Sequence, residues 1–127
     1  MSAVRSRGRR TRSESGAATA ELALGIPLLV ALTAGLVWML AVGAAQVRVI
    51  DASREAARAV ARGDDVGSAQ GVAVRIAPEG ARVRVEVGES DVVVTTSARV
   101  TGPGGLLGSL PGVTVSAQAV AVVEEEP

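Results

Sequence analysis

Glu21 is the ionisable side chain whose setting marks it as a candidate for chemistry. It stands at the start of a stretch, Leu22 to Val47, that contains no charged residue. An acid inside lipid costs about 2.5–3.5 kcal/mol at the centre of a membrane helix and less near its ends, so such residues are functional-site candidates by default. The plain alternative is a carboxylate that reaches the headgroups at almost no cost. A second cluster, Ser53, Arg54, Glu55 and Arg58, offers a hydroxyl and charges but no base beside the hydroxyl. A solvated, salt-bridged helix face accounts for it better than nucleophilic catalysis. The chain lacks Cys and His, which removes thiolates, disulfides, the usual general base and the usual transition-metal ligand. Trp38 is its one aromatic residue, so nucleic-acid bases have no stacking platform. These absences point to a protein that is not an enzyme, with no catalytic residues, no cofactor, no metal and no nucleic-acid partner.

The elements that would position Glu21 follow from charge and hydropathy. Residues 1–16 are polar and rich in Arg, with Glu14 their sole acid and no apolar period, so this block is not expected to fold alone. The uncharged run that follows exceeds the roughly 18 residues that suffice for a transmembrane helix. A secretory signal peptide is the competing reading, since Gly43, Ala44 and Ala45 before Gln46 resemble a signal-peptidase site. Its apolar region would normally be only about 7–15 residues. Five Arg precede the run, while Arg48, Arg54, Arg58 and Arg62 follow it, so the bias toward a cytoplasmic N-terminus is slight. Pro27 removes one backbone donor from the helix, which membrane helices tolerate when neighbours satisfy the freed carbonyl. Ala31 and Gly35 are four apart, a spacing that lets membrane helices approach closely.

The helix is expected to continue beyond the membrane to Arg62, with Gly63 as its cap. Arg48, Asp51, Glu55, Arg58 and Arg62 share one face, and Val49, Ala52, Ala56, Ala59 and Val60 share another. From Ala17 to Arg62 this predicts a rod of roughly 65–70 Å. Beyond it, a short helix over 66–77 with Ala69, Val72, Ala73 and Ile76 on one side leads to a turn at Pro78-Glu79-Gly80. Alternation predicts strands over 82–87, 92–100 and 113–123, the first two paired antiparallel. Leu106, Leu107 and Leu110 in the intervening loop are expected to tuck against the sheet. Glu124, Glu125 and Glu126 form a solvated acidic tail. The fold class is α+β. An outer domain of some 60 residues without an aromatic is marginal alone and is expected to need the helix or neighbouring subunits.

A basic leader, Gly16, four small residues, Glu21 and then a membrane helix resemble a type III signal, the sequence a prepilin peptidase cuts. The chain is similar to the TadE-like proteins, pseudopilins of the tight-adherence (Flp-type) pilus and secretion system. The matching residues are Gly16, Glu21-Leu22-Ala23-Leu24, Pro27-Leu28-Leu29 and Ser53-Arg54-Glu55-Ala56-Ala57-Arg58-Ala59, over roughly residues 15–62. The resemblance implies a cut between Gly16 and Ala17. With 13 basic and 13 acidic residues at the outset, losing five Arg and Glu14 takes the side-chain charge from zero to about −4. It further implies that Glu21 pairs with the new Ala17 amine of an adjacent subunit as helices pack into a filament. The partners implied are the membrane, a prepilin peptidase, other pilin-like subunits and the assembly platform.

The domain reading is a leader over 1–16, a transmembrane helix over 17–47, its extracytoplasmic continuation over 48–63 and an α+β domain over 64–127. The expected location is the bacterial cytoplasmic membrane, single-pass, N-terminus inside. Two alternatives stand beside the pilin-like subunit: an uncut membrane-anchored surface binding protein, and a secreted β-rich protein cut near Ala45.

Overall fold

The computed structural model describes residues 7–104, 108–109 and 111–124. Helix α1 spans Arg7–Ala61, helix α2 Val66–Ile76, and strands β1, β2 and β3 span Arg82–Val87, Asp91–Val100 and Val113–Val122. The expected α+β class therefore holds, and each strand boundary lies within one residue of its predicted place. The chain divides into two compact units, Met1–Val37 and Trp38–Pro127.

The described residues of the first unit, 7–37, are helix. The helix begins ten residues before Ala17, inside the block that has no apolar period of its own. Helix formation explains this: nucleation is the costly step, and adding turns to an existing helix is cheap. Thr19 and Thr33 bend their hydroxyls back onto the carbonyls of Ser15 and Leu29, at 2.9 and 2.8 Å. Both hydroxyls thus stay satisfied along a stretch that offers them no other partner. Pro27 lies inside the helix and leaves the carbonyl of Ala23 without its usual donor.

In the second unit α1 ends as its sequence predicts. Gly63 adopts a positive φ of 96°. Its N–H donates to Val60 O at 2.9 Å, and that of Asp64 donates to Ala59 O at 3.0 Å, the paired closure of a Schellman cap. Asp65 then caps α2, accepting from the Ser68 N–H at 3.2 Å. Gly80, at φ 75°, turns the chain into β1 with Ala81 N–H donating to Pro78 O at 3.1 Å.

The sheet has the order β1-β2-β3 and is antiparallel throughout. Central β2 alternates strictly, burying Val92, Val94, Thr96 and Ala98. Across from these stand Val83 and Val85 of β1 and Val115, Ala117, Ala119 and Ala121 of β3. The face of α1 predicted to be apolar packs on this surface: Val49, Ala52 and Ala56 are 0% exposed. Ala69 and Ala73 of α2 are likewise buried, with Val72 and Ile76 half-buried beside them. Small residues on helix and sheet replace large ones, so the layers lie close and the core needs no aromatic. The predicted tucking of Leu106, Leu107 and Leu110 falls outside the described residues.

One polar bridge crosses this core. Ser53 Oγ and Thr96 Oγ1 are hydrogen-bonded at 2.7 Å, and Ser53 Oγ donates to Ala117 O at 3.1 Å. Ser53 is 1% exposed and Thr96 fully buried. The Ser53 hydroxyl is thus a structural link from α1 to β2 and β3. Ser53→Ala should destabilise by about 1–3 kcal/mol, because Thr96 keeps a buried hydroxyl and loses its partner. Adding Thr96→Val should recover most of that loss, which a double-mutant cycle by denaturant unfolding would read.

Candidate functional site

The helix face around Glu21 is open along its whole length. Leu24, Leu28 and Leu40 are 72–77% exposed, and the stretch is long and apolar enough to cross a membrane. Glu21 is exposed beside an apolar groove formed by Ala18, Leu22, Gly25, Ile26 and Leu29. Its carboxylate therefore borders a surface suited to another helix or to lipid. Gly16 and Ala17 are exposed, and the bond between them lies inside the helix. Cleavage of that bond would require the turn to open to extended backbone, which Gly16 would ease, since glycine weakens a helix by about 0.5–1 kcal/mol relative to alanine. Ala31 is exposed, and a Cβ built on Gly35 would meet nothing within 4 Å.

On the far half of α1 the charged face separates into two jobs. Glu55 lies 3.9 Å from both Arg58 and Arg62, and Arg62 lies 4.0 Å from Asp64. These are exposed pairs of small energetic weight. Asp51 and Arg54 line a shallow hollow with Glu55 and Arg58, and Ser53 points to the other side, into the core. Arg48 does something the sequence did not reveal. Its Nε donates to Ile76 O at 2.9 Å and its Nη2 to Ala77 O at 3.0 Å, so it caps the C-terminus of α2 from another helix. Arg48→Ala should leave those carbonyls bare. Charge-assisted bonds contribute about 1.5–3 kcal/mol, so amides in the last turn of α2 should exchange roughly 10- to 100-fold faster with deuterium.

The outer face of the sheet carries a third feature. The sequence shows the Arg residues as scattered; strand register gathers three of them. Arg82 pairs with Ser97, Arg84 with Thr95 and Arg99 with Thr114, all on the exposed face. Among the described residues none of the three sits in an ion pair. Gly80, Arg82, Ser97, Ala98, Arg99 and Thr114 surround a hollow of about 390 Å³. At the other end of the same sheet stand Glu86, Glu89, Asp91 and Glu124. Charge is thus segregated along the strands.

The Arg-bearing end adjoins a defined part of α1. Ala45 and Val49 cluster with Ala98 and Val115, and Val42, Val100 and Ala117 pack against them. Gln46 Nε2 donates to Ser116 O at 3.1 Å. The bond after Ala45, the alternative secretory cut, therefore lies in a helix whose Ala45 side chain is buried in the second unit.

These features define an α+β protein with one long apolar N-terminal helix, consistent with single-pass membrane anchoring. Residues 16–58 match the model of the TadE-like protein family. It is also similar to a Mycobacterium tuberculosis protein named as an apoptosis inhibitor, with 46% identity over 79 residues. That match covers 62% of this chain and 57% of the relative. No solved structure matches.

Proposed function

We propose that this chain is a non-enzymatic, pilin-like membrane subunit of a tight-adherence pilus or a related secretion apparatus. The carrying observation is the exposed apolar helix with a single carboxylate, Glu21, at its start, inside the segment that matches the TadE-like family. In this reading residues 1–16 are a leader, and a prepilin peptidase cuts after Gly16. The segment 17–47 carries the span of the cytoplasmic membrane, with its last turns from Val42 held against the sheet at the membrane surface, and the remainder lies outside. Glu21 then pairs with the Ala17 amine of a neighbouring subunit, and Ala31 and Gly35 give the close contact face. Pro27 locally frees a carbonyl that a packed neighbour can satisfy. The partners are the peptidase, other pilin-like subunits and the assembly platform.

The test is the N-terminal residue of the membrane-extracted protein, by intact mass and terminal sequencing. A start at Ala17 is expected. A start at Met1 or Ser2 would leave an uncut anchor that displays the outer unit, and a start near Gln46 would make the protein a secreted one.

A second reading draws on the relative named as an apoptosis inhibitor, 46% identical over the matched part. In it the outer unit acts on a host cell's death response after release from the bacterium. Purified protein added to host cells under a death stimulus should then lower their death rate, and protein left in the bacterial membrane should not.

A further inference from the structure

We propose that the Arg-bearing end of the sheet docks on the anionic phospholipid headgroups of the membrane that α1 enters. The inference rests on membrane anchoring by α1 and not on pilus assembly.

Position is the first argument. The uncharged run of α1 ends at Val47; Gln46 is the one amide side chain in it and Arg48 is the first charge beyond it. Gln46 is bonded to Ser116 in β3, and Arg48 to the end of α2. The level at which α1 turns from apolar to charged is therefore the level of the Arg-bearing sheet end. A helix that leaves lipid there sets that end at the headgroups, while Glu86, Glu89, Asp91 and Glu124 stand at the other end of the strands, away from an anionic surface.

Chemistry is the second. Arg82, Arg84 and Arg99 are exposed guanidinium groups with no ion-pair partner among the described residues. A guanidinium presents a planar fork that matches phosphate oxygens in pairs. Ser97 and Thr114 add hydroxyls to the hollow between Arg82 and Arg99, and its volume of about 390 Å³ accommodates a headgroup phosphate. A Cβ on Gly112 would lie 2.7 Å from Arg99 Nε and 3.1 Å from Val100 O, so the glycine leaves room for the Arg99 side chain in the position it takes beside the hollow. Anionic membranes attract basic residues within a Debye length, about 10 Å at 0.1 M salt. Each such Arg should raise the ratio of docked to undocked protein about five-fold, and three of them together about 100-fold.

The chain has no cysteine, so a single Thr101→Cys at the end of β2 can carry a fluorophore and Glu89→Cys can serve as the far-end control. The full chain is placed in nanodiscs at one copy per disc, and lifetime amplitudes under a neutral aqueous quencher give the ratio of shielded to exposed label. Mixed phosphatidylglycerol–phosphatidylcholine discs should shield the Thr101 label about 100-fold more than pure phosphatidylcholine discs. Arg82→Gln with Arg99→Gln should reduce the shielding about 25-fold. Arg54→Gln with Arg58→Gln, an equal loss of charge on α1, should leave it unchanged. The Glu89 label should stay exposed throughout. Equal shielding in both disc types would overturn the proposal, as would shielding that survives the Arg82 and Arg99 changes. Shielding by inorganic phosphate on phosphatidylcholine discs would make the hollow a soluble-anion site instead. Shielding that appears only with several copies per disc would assign the face to a second copy of the chain. Failure of the chain to remain in either disc type would overturn the anchoring, and the docking with it.

Discussion

A chain shortened to begin at Asp64 is expected to show no cooperative thermal transition, whereas one that begins at Trp38 should melt as a unit. The reason lies in who supplies the core. Of the fourteen buried apolar residues among those described, seven belong to α1: Ala45, Val49, Ala52, Ala56, Ala57, Ala59 and Val60. Burying a methyl group contributes about 0.8 kcal/mol and a valine side chain at least about 1.5 kcal/mol, so their removal withdraws roughly 7–8 kcal/mol. That is comparable to the whole stability of a small domain, about 5–15 kcal/mol. Truncation also strips the sheet's inner face of its cover and leaves Val92, Val94 and Thr96 in water, and it removes Arg48 from the end of α2. Far-ultraviolet circular dichroism through a thermal ramp reads both outcomes, with detergent present to hold the apolar Trp38–Val47 segment. A sharp melting transition in the Asp64 fragment would mean that the sheet and α2 suffice and that α1 only rests on them.

The same core shows what the amino-acid sequence disclosed and what it hid. Val49, Ala52, Ala56, Ala59 and Val60 were legible because a helix repeats every 3.6 residues and they fall on one stripe. The strands were legible from alternation, most clearly in Arg82 to Val87, and Gly63 from its place after a helical run. Partners distant along the chain were not legible. Ser53 is followed directly by Arg54 and Glu55, and only Thr96, 43 residues away, and the Ala117 carbonyl show it to be a core hydroxyl. Arg48 has the spacing of a solvated face, yet its partners are carbonyls 28 and 29 residues on. Likewise Arg82 and Arg99 are seventeen positions apart in the chain, and it is the pairing of Arg82 with Ser97 that brings them to one end of one face. Residues 7–16 were hidden for a different reason. Their helicity is inherited from the apolar stretch that follows, and composition alone carries no sign of it.

Glu21→Gln is expected to leave membrane insertion and leader cleavage intact while lowering incorporation into the assembly by two to three orders of magnitude. The side chain is exposed on an isolated subunit, at the start of an apolar helix face, and among the described residues no ion pair uses its charge. Insertion should not suffer, because neutral Gln enters lipid more readily than an ionised acid. Cleavage after Gly16 should not suffer either, since Glu21 is five residues from that bond and the turn that must open is the one at Gly16. Assembly is different. In a packed helix bundle the amine of a neighbour's Ala17 would be drawn out of water, and without Glu21 it stays there as an unpaired charge. Breaking one side of a desolvated ion pair costs about 3–5 kcal/mol, which corresponds to a loss of roughly 100- to 1,000-fold or more. Glu21→Asp, which keeps the charge on a shorter arm, should restore part of it, whereas Glu55→Gln on the exposed face beyond the membrane should have no effect, because its ion pairs are solvated. Quantifying the subunit in sheared pilus or secretion-machine fractions against its total in membranes gives the ratio. If Glu21→Gln is incorporated as well as the parent while Ala17 is confirmed as the first residue, the carboxylate is a headgroup-facing acid, and packing through the small residues near Ala31 and Gly35 must hold the helices by itself.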